Sequence, residues 1–192
     1  MRRSSPAHAR CDIREDPDFP RPGTVRDMSY RTLGPEDLPR VLELNNAATP
    51  SVGRLTLPDL ERLVAMASVR IVAVTDDAVV GFALGLPPGQ EYTSENYRYF
   101  AERFDDFHYL DRIVVDPTYY RRGLGSGLYD EVERLCGAPV LLCEVNIRPL
   151  NGDSLAFHEH RGFRQVGTQD TEGGTKTVAL LRKDLSQPSV SR

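Results

Sequence analysis

The sequence lacks the features that mark membrane and nucleic-acid-binding proteins. No apolar run in its 192 residues approaches the roughly 18 residues that a membrane span needs, so we expect no membrane partner. The formal charge is only −4, whereas a protein that binds nucleic acid through a basic face needs a surplus of positive charge. With 40% hydrophobic and 27% charged residues, the composition is that of one ordinary globular domain.

Cysteine is also scarce. The chain has three cysteines, Cys11, Cys136 and Cys143, which form neither a CxxC pair nor a Cys/His ligand spacing. An odd number without such spacing favours a reducing setting. We therefore predict a cytoplasmic protein without a metal site, in which Cys136 and Cys143 are small core residues.

The two ends of the chain lack hydrophobic periodicity. Residues 1–27 are rich in Pro, Arg and Asp and contain no apolar stretch of the kind found in a secretory signal. We predict a disordered extension over 1–27, a single domain over 28–185 and a flexible tail over 186–192.

Periodic segments fill the part between the ends. A short strand at 29–33 precedes two segments with apolar residues at helical spacing, and two β-rich runs joined at Asp76-Asp77 predict an antiparallel hairpin. After an aromatic stretch with a short helix, the second half runs strand, helix (about 124–136), strand, helix, strand, strand. This order predicts an α+β fold, a mixed α/β sandwich.

Three glycines occupy alternate positions where the first helix of the second half, at about 124–136, begins. They are Gly123, Gly125 and Gly127. The first N–H groups of a helix have no internal partners and attract anions, and glycine lets the backbone approach phosphate oxygens. Arg121 and Arg122 add positive charge, and Gly127 allows close packing against the sheet. Such a turn is structural about as often as it binds phosphate.

Two nucleotide-binding signatures differ from this loop. It lacks the GxxxxGK[ST] pattern of P-loop proteins. Its GxGxG spacing, eight positions after Val115, also differs from the dinucleotide fingerprint, in which the glycines follow the strand directly. Glu144 lies near the distance expected for a ribose-binding acid, so a dinucleotide-dependent oxidoreductase stays open as an alternative.

Two segments resemble the motifs of a known family. "IVVDPTYYRRGLGSGLYDEVE" is similar to motif A of the GNAT superfamily of acyl-CoA-dependent N-acyltransferases, and "NGDSLAFHEHRGF" resembles its second motif. Asn151, Ser154, Gly162 and Phe163 fall in register with that motif. The resemblance implies a GNAT-like fold, with a central, mostly antiparallel sheet and helices on both faces.

The resemblance also implies acetyl-CoA as co-substrate. Backbone groups of the strand would hold the pantetheine arm, and the glycine loop would hold the pyrophosphate. The residues so assigned are Ile113, Val114 and Val115 for the arm, and Arg121, Arg122, Gly123, Leu124, Gly125 and Ser126 for the pyrophosphate. Asn151 would contact the pantetheine, although an Asn at a helix start is also an ordinary N-cap.

Three residues are candidates for proton transfer. His158 stands where the family usually has the tyrosine that protonates the departing thiolate, and a histidine can donate a proton too. Glu144 is the candidate base, with His108 as the other possibility. Each has an ordinary alternative: His158 as a half-buried polar residue, Glu144 as a solvent-facing strand residue paired with an arginine. Tyr120 replaces the family's usual Gln or Arg.

The acceptor site is expected from the first helix and the aromatic stretch. Asn45 and Asn46 would orient a polar substrate, or else belong to the end of the helix, and Tyr92, Tyr97 and Tyr99 would add aromatic surface. We expect a small-molecule primary amine as acceptor, and the resemblance allows a homodimer. The alternative is a non-catalytic acyl-CoA-binding module of the same fold.

Overall fold

A computed structural model describes residues 28–185, so the predictions for 1–27 and 186–192 lie outside the described residues. Among these residues are seven strands and five α-helices. The strands are β1 (Ser29–Thr32), β2 (Val69–Thr75), β3 (Ala78–Leu86), β4 (His108–Val115), β5 (Val140–Arg148), β6 (Arg164–Thr171) and β7 (Lys176–Asp184). The helices are α1 (Leu38–Ala47), α2 (Leu57–Met66), α3 (Glu95–Ala101), α4 (Leu124–Leu135) and α5 (Gly152–His160). None of these helices is long and apolar enough to cross a membrane.

Local signals in the sequence set several element boundaries. The side chain of Thr56 accepts a hydrogen bond from the N–H of Asp59 and so caps α2, with Pro58 in the first turn. Asp76 and Asp77 both adopt positive φ, at 48° and 60°, which is the conformation that a tight hairpin turn requires. The predicted hairpin of β2 and β3 is therefore confirmed.

All seven strands lie in one sheet, in the order β1-β2-β3-β4-β5-β7-β6. Every pairing is antiparallel except that of β4 with β5. This parallel pairing covers only His108 with Leu141 and Tyr109 with Leu142. Beyond these two pairs the strands separate, and a wedge-shaped gap opens in the middle of the sheet.

A β-bulge lies in β4 at the point where the gap begins. Leu84 of β3 pairs with Arg112, but the next residue, Gly85, pairs with Leu110. Asp111 is therefore the extra residue of β4, and such a residue disturbs the alternation of side chains between the two faces. The bulge allows Asp111 and Arg112 both to border the gap.

Helices cover both faces of the sheet, as predicted. Helices α1, α2 and α3 share an apolar core with the first face, and α4 and α5 pack on the second. On α4, Leu124, Leu128 and Val132 are buried, whereas Leu135 at its last turn is 44% exposed. The predicted α+β sandwich is confirmed.

Gly127 has the packing role that the sequence indicated. A Cβ built on it would lie 1.9 Å from the hydroxyl oxygen of Tyr30 on β1. The missing side chain is what allows this strand to pack under α4.

Candidate active site

A cavity of about 330 Å³ occupies the gap between β4 and β5. Because the gap passes through the sheet, the cavity is bordered from both faces. Among its lining residues are Tyr92, Asn96, Asp111 and Glu144 from the side of α1 to α3, and Tyr129, Asn151, Ser154 and His158 from the side of α4 and α5. A concave site with converging polar groups is the usual form of an active site.

The N-terminus of α4 has the form of an anion cradle. Gly123 caps it in the left-handed conformation, with φ of 85°, and the N–H of Gly127 is bonded to the Gly123 carbonyl at 3.0 Å. Helix geometry leaves the N–H groups of Leu124, Gly125 and Ser126 without intrahelical acceptors. A Cβ added to Gly123 or Gly125 would meet no other atom of the described residues within 4 Å. These features fit a diphosphate approaching the backbone.

The neighbouring strand can receive an extended chain. One edge of Ile113, Val114 and Val115 pairs with β3. The other edge faces the gap, because the described pairing of β4 with β5 ends at Tyr109. Backbone groups along such an edge can hydrogen-bond an extended ligand in the manner of an added strand.

Glu144 lies in the cavity, on the next strand. The hydroxyl of Tyr109 donates a hydrogen bond to Glu144 Oε2 at 2.8 Å, so the partner is a tyrosine and not the arginine considered from the sequence. Burial raises the pKa of Glu144 to about 7, the Asp111 carboxylate adds to this rise, and the hydrogen bond from Tyr109 opposes it. A carboxylate with such a pKa exchanges protons readily near neutral pH.

His158 is buried against the opposite side of the cavity. Its Nδ1 lies 2.6 Å from the Ser154 carbonyl oxygen, which can only accept, so Nδ1 carries the proton. Its Nε2 lies 2.5 Å from the hydroxyl of Tyr129 and accepts a hydrogen bond from that hydroxyl. Burial lowers the pKa of His158, while the hydrogen bond to Ser154 opposes this shift. The neutral imidazole therefore has no free N–H directed into the cavity.

Asn151 caps α5. Its side-chain oxygen accepts a hydrogen bond from the N–H of Ser154 at 3.2 Å, and the residue also lines the cavity. The ordinary N-cap role is thus present, and it leaves Asn151 beside the space where a ligand would pass.

Asn45 and Asn46 lie behind the cavity wall and do not border it. The Asn45 amide donates to the Gly53 carbonyl at 3.1 Å and accepts from Arg112 Nη1 at 2.8 Å. Asn46 makes two hydrogen bonds with the backbone of Leu55, each of 3.0 Å. These contacts correspond to the structural role at the helix end that the sequence left open.

Of the remaining candidate residues, one lines the cavity and the others do not. Tyr92 lines the cavity, whereas Tyr97 is buried with its hydroxyl donating to the Pro87 carbonyl at 2.8 Å, and Tyr99 stacks with Arg103. His108, the other candidate base, is 1% exposed, packs against Gly85 and is not among the residues that line the cavity.

Sequence reasoning missed Tyr129 and Asp111. Tyr129 lies within an apolar helical stripe, and nothing in its spacing marks it as a partner of His158. Asp111 follows a hydrophobic strand pattern whose bulge cannot be seen in the sequence. An acidic residue inside an otherwise apolar strand was the one available signal.

Comparisons with known proteins identify the family. The profile described as "Acetyltransferase (GNAT) family" matches residues 38–163. The chain belongs to this family, and it is by class an acetyl-CoA-dependent acyltransferase. The alternative of a dinucleotide-dependent oxidoreductase loses its support. Among curated proteins, none matches the sequence significantly.

Solved structures agree on the fold. The ribosomal-protein-S18-alanine N-acetyltransferase from Escherichia coli is similar with a TM-score of 0.64 and 19% identity, covering 86% of this chain and 99% of that one. The putative acetyltransferase yncA from Salmonella typhimurium, solved with acetyl-CoA, has a TM-score of 0.63 and 16% identity, covering 87% and 99%. Naa20 from Chaetomium thermophilum, in complex with a bisubstrate analogue, has a TM-score of 0.66 and 20% identity, covering 82% and 86%.

Proposed function

We propose that this protein transfers the acetyl group of acetyl-CoA to the primary amine of a small molecule. The observation that carries the proposal is the placement of two proton-transfer groups in one cavity. Glu144 borders it from one face of the sheet, and the hydrogen-bonded pair Tyr129–His158 borders it from the other. A base and an acid are thus separated by the gap in which the reacting groups would meet.

Acetyl-CoA would be held on the side of α4 and α5. The N-terminus of α4, from Arg121 to Ser126, would bind the pyrophosphate, and the free edge of Ile113, Val114 and Val115 would bind the pantetheine arm, with Asn151 beside it. Bound acetyl-CoA supplies the acetyl thioester. A backbone N–H of β4, where the strand borders the cavity, would polarise the thioester carbonyl.

Glu144 would act as the base. An amine is mostly an ammonium ion at neutral pH, so a proton must leave before the nitrogen can attack. With a pKa of about 7, Glu144 is ionised in a large fraction of the molecules near neutral pH and can accept that proton directly or through water. The hydrogen bond from Tyr109 fixes the orientation of the carboxylate.

The pair Tyr129–His158 would return a proton to the departing sulfur. Because His158 is neutral and its Nε2 is an acceptor, the transferable proton is the hydroxyl proton of Tyr129. In the resting protein this proton lies between the Tyr129 oxygen and His158 Nε2. The O–H bond would rotate from Nε2 toward the departing sulfur, His158 would hold the tyrosine ring in place, and water would reprotonate the tyrosine after transfer. As the C–N bond forms and the C–S bond breaks, the nitrogen releases its second proton to water and the sulfur gains the proton of Tyr129, so the step balances.

Asn45 and Asn46 would act on the acceptor indirectly, by fixing the loop Ser51–Gly53 in the cavity wall. The proposal assigns no role to a metal. It places the protein in the cytoplasm, which is supported by the free thiols of Cys136 and Cys143. It includes the homodimer that the family resemblance allows, and size measurement in solution would test that part.

The first test is thermal melting with acetyl-CoA, CoA and NAD, followed by an assay of CoA release with a panel of amines. A ligand at 100 times its Kd stabilises the folded state by about 2.7 kcal/mol, and Gly125→Asp, which puts a negative charge in the cradle, should abolish the shift. Binding without transfer to any amine would favour the non-catalytic acyl-CoA-binding module. No shift with either CoA species would contradict the proposal.

A further inference from the structure

The acceptor side of the cavity contains a second buried carboxylate besides Glu144. The Asp111 side chain is 5% exposed and borders the cavity. Its Oδ2 makes no hydrogen bond with the described residues. This oxygen lies 3.2 Å from Arg112 Nε, which also lacks a hydrogen bond. Burial raises the pKa of Asp111, and the neighbouring Arg112 charge opposes that rise. A buried carboxylate oxygen left in this state has the capacity to bind a donor.

The bulge explains why Asp111 faces the cavity. In a regular strand its side chain and that of Arg112 would point to opposite faces. With the extra residue in β4, the Asp111 carboxylate lies near the hydroxyls of Tyr92 and Tyr109 and near Glu144 on β5. Two carboxylates from neighbouring strands therefore meet at the inner end of the gap, beside the last residue pair that joins β4 to β5.

The basic side chains that line the cavity, within the part of the chain that the structure describes, are engaged with protein groups. Arg112 Nη1 donates to the Gly53 carbonyl at 2.6 Å and to Asn45 Oδ1 at 2.8 Å. Lys176 Nζ forms an ion pair with Glu172 at 3.1 Å. Glu95 also lines the cavity and adds negative charge. A substrate carboxylate would therefore be repelled by the carboxylates of the protein. It would also have to compete with protein groups for Arg112 and Lys176.

On the basis of the proposed function, we infer that the acceptor is an ammonium group with no carboxylate beside it, and that Asp111 selects it. The ammonium donates hydrogen bonds to Asp111 Oδ2 and to Glu144, and Glu144 then removes the proton. A free α-amino acid carries a carboxylate two bonds from its nitrogen and is rejected. The α-amine of an amidated residue, as at the start of a peptide, and the amine of a polyamine are accepted.

Matched substrates test this directly. CoA release would be measured with leucinamide against leucine, phenylalaninamide against phenylalanine, and cadaverine against lysine. For lysine the product would be analysed, and only acetylation of its α-amine would count in the comparison. We expect kcat/KM to be at least tenfold higher for the member without the carboxylate, about 1.4 kcal/mol of discrimination. Turnover confined to the amides would identify a peptide-like acceptor, and turnover confined to the diamine would identify a polyamine. Equal or better turnover of the free amino acids would overturn the inference.

Asp111→Asn tests the residue. The variant keeps the shape and removes the charge, so we expect KM for the preferred amines to rise about tenfold and the preference over the free amino acids to shrink. Asp106→Asn, the same change at an exposed position, is the control and should leave both unchanged. An undiminished preference in folded Asp111→Asn would remove Asp111 from recognition. The wild-type comparison stays decisive if the variant does not fold.

Failure of the inference differs from failure of the proposed function. Acetylation of amino acids in preference to their amides contradicts only the inference. An acetyl-CoA melting shift without CoA release from any amine contradicts the acetyltransferase proposal, and the inference with it.

Discussion

The Tyr109 hydroxyl donates a hydrogen bond to Oε2 of Glu144 over 2.8 Å, and Tyr109 lies at the last residue pair that joins β4 to β5. The bond therefore connects the two strands just where they separate. It holds the candidate base at the inner end of the cavity. This contact should therefore influence how the rate of the reaction depends on pH.

Activity should rise with pH through the titration of Glu144. The carboxylate must be ionised to accept a proton, so kcat/KM should increase as pH rises through about 7, the pKa to which burial brings this group. Glu144→Gln should lower kcat/KM by roughly 10²-fold or more and abolish the rise of kcat/KM with pH, which is the acidic limb of the pH profile. A pH profile of CoA release measures both, and an unchanged limb in the variant would assign the titration to another group.

Tyr109→Phe should move the same limb in a known direction. The hydrogen bond from Tyr109 favours the ionised form of Glu144 and lowers its pKa. Without it, the pKa should rise and the limb should shift to higher pH. Tyr97→Phe, which removes a hydroxyl that bonds Pro87, is the matched control and should leave the limb in place.

Tyr129 and His158 should behave as one unit. His158→Ala should lower kcat by roughly 10²-fold or more while sparing acetyl-CoA binding, and Tyr129→Phe should have an effect of similar size. Because one group acts through the other, the double variant should lose little more than either single variant. Rate measurements at saturating substrate check this. An unchanged kcat in His158→Ala would remove that residue from the mechanism, and full additivity would contradict the pairing.

Asn45 should contribute both to the stability of the fold and to the position of the loop that forms part of the cavity wall. Asn45→Ala leaves Arg112 with one acceptor fewer and should destabilise the fold by about 1–3 kcal/mol, lowering Tm by several degrees. KM for the amine should rise, with acetyl-CoA binding retained. Melting curves and amine titrations measure these effects, and Asn96→Ala, at a residue that lines the cavity directly, offers a comparison. A change in amine KM without a loss of Tm would instead indicate direct contact with the acceptor.

His108 should make the fold sensitive to acid. Burial lowers the pKa of His108 from 6.5 to about 4, so the folded state binds this proton less readily than the unfolded state. Stability is then fully present above pH 6.5 and is lost as the pH falls toward 4, by about 3 kcal/mol in total. Urea unfolding of His108→Leu should show a weaker dependence over this range. His160→Leu, at an exposed histidine, should unfold like the wild type.

Local patterns predicted the order of elements, but not the geometry of the gap. The hairpin turn at Asp76-Asp77 and the helix at about 124–136 are decided by neighbouring residues, so the sequence reveals them. The bulge at Asp111 depends on the register of β4 against β3. The hydrogen bond between Tyr129 and His158 depends on the packing of α4 against α5. Contacts set by tertiary structure leave no local trace, and these contacts form the core of the candidate site.

The short pairing of β4 with β5 divides the sheet into two parts that meet along a narrow junction, which we call the seam. The strands β1 to β4 on one side and β5, β7 and β6 on the other are joined in the sheet by two residue pairs. An extended ligand along the open edge of β4 would supply the hydrogen bonds missing there, so occupation of the site and completion of the sheet would be the same event. Saturation with acetyl-CoA should then slow amide hydrogen exchange on both sides of the seam, well beyond the atoms it touches.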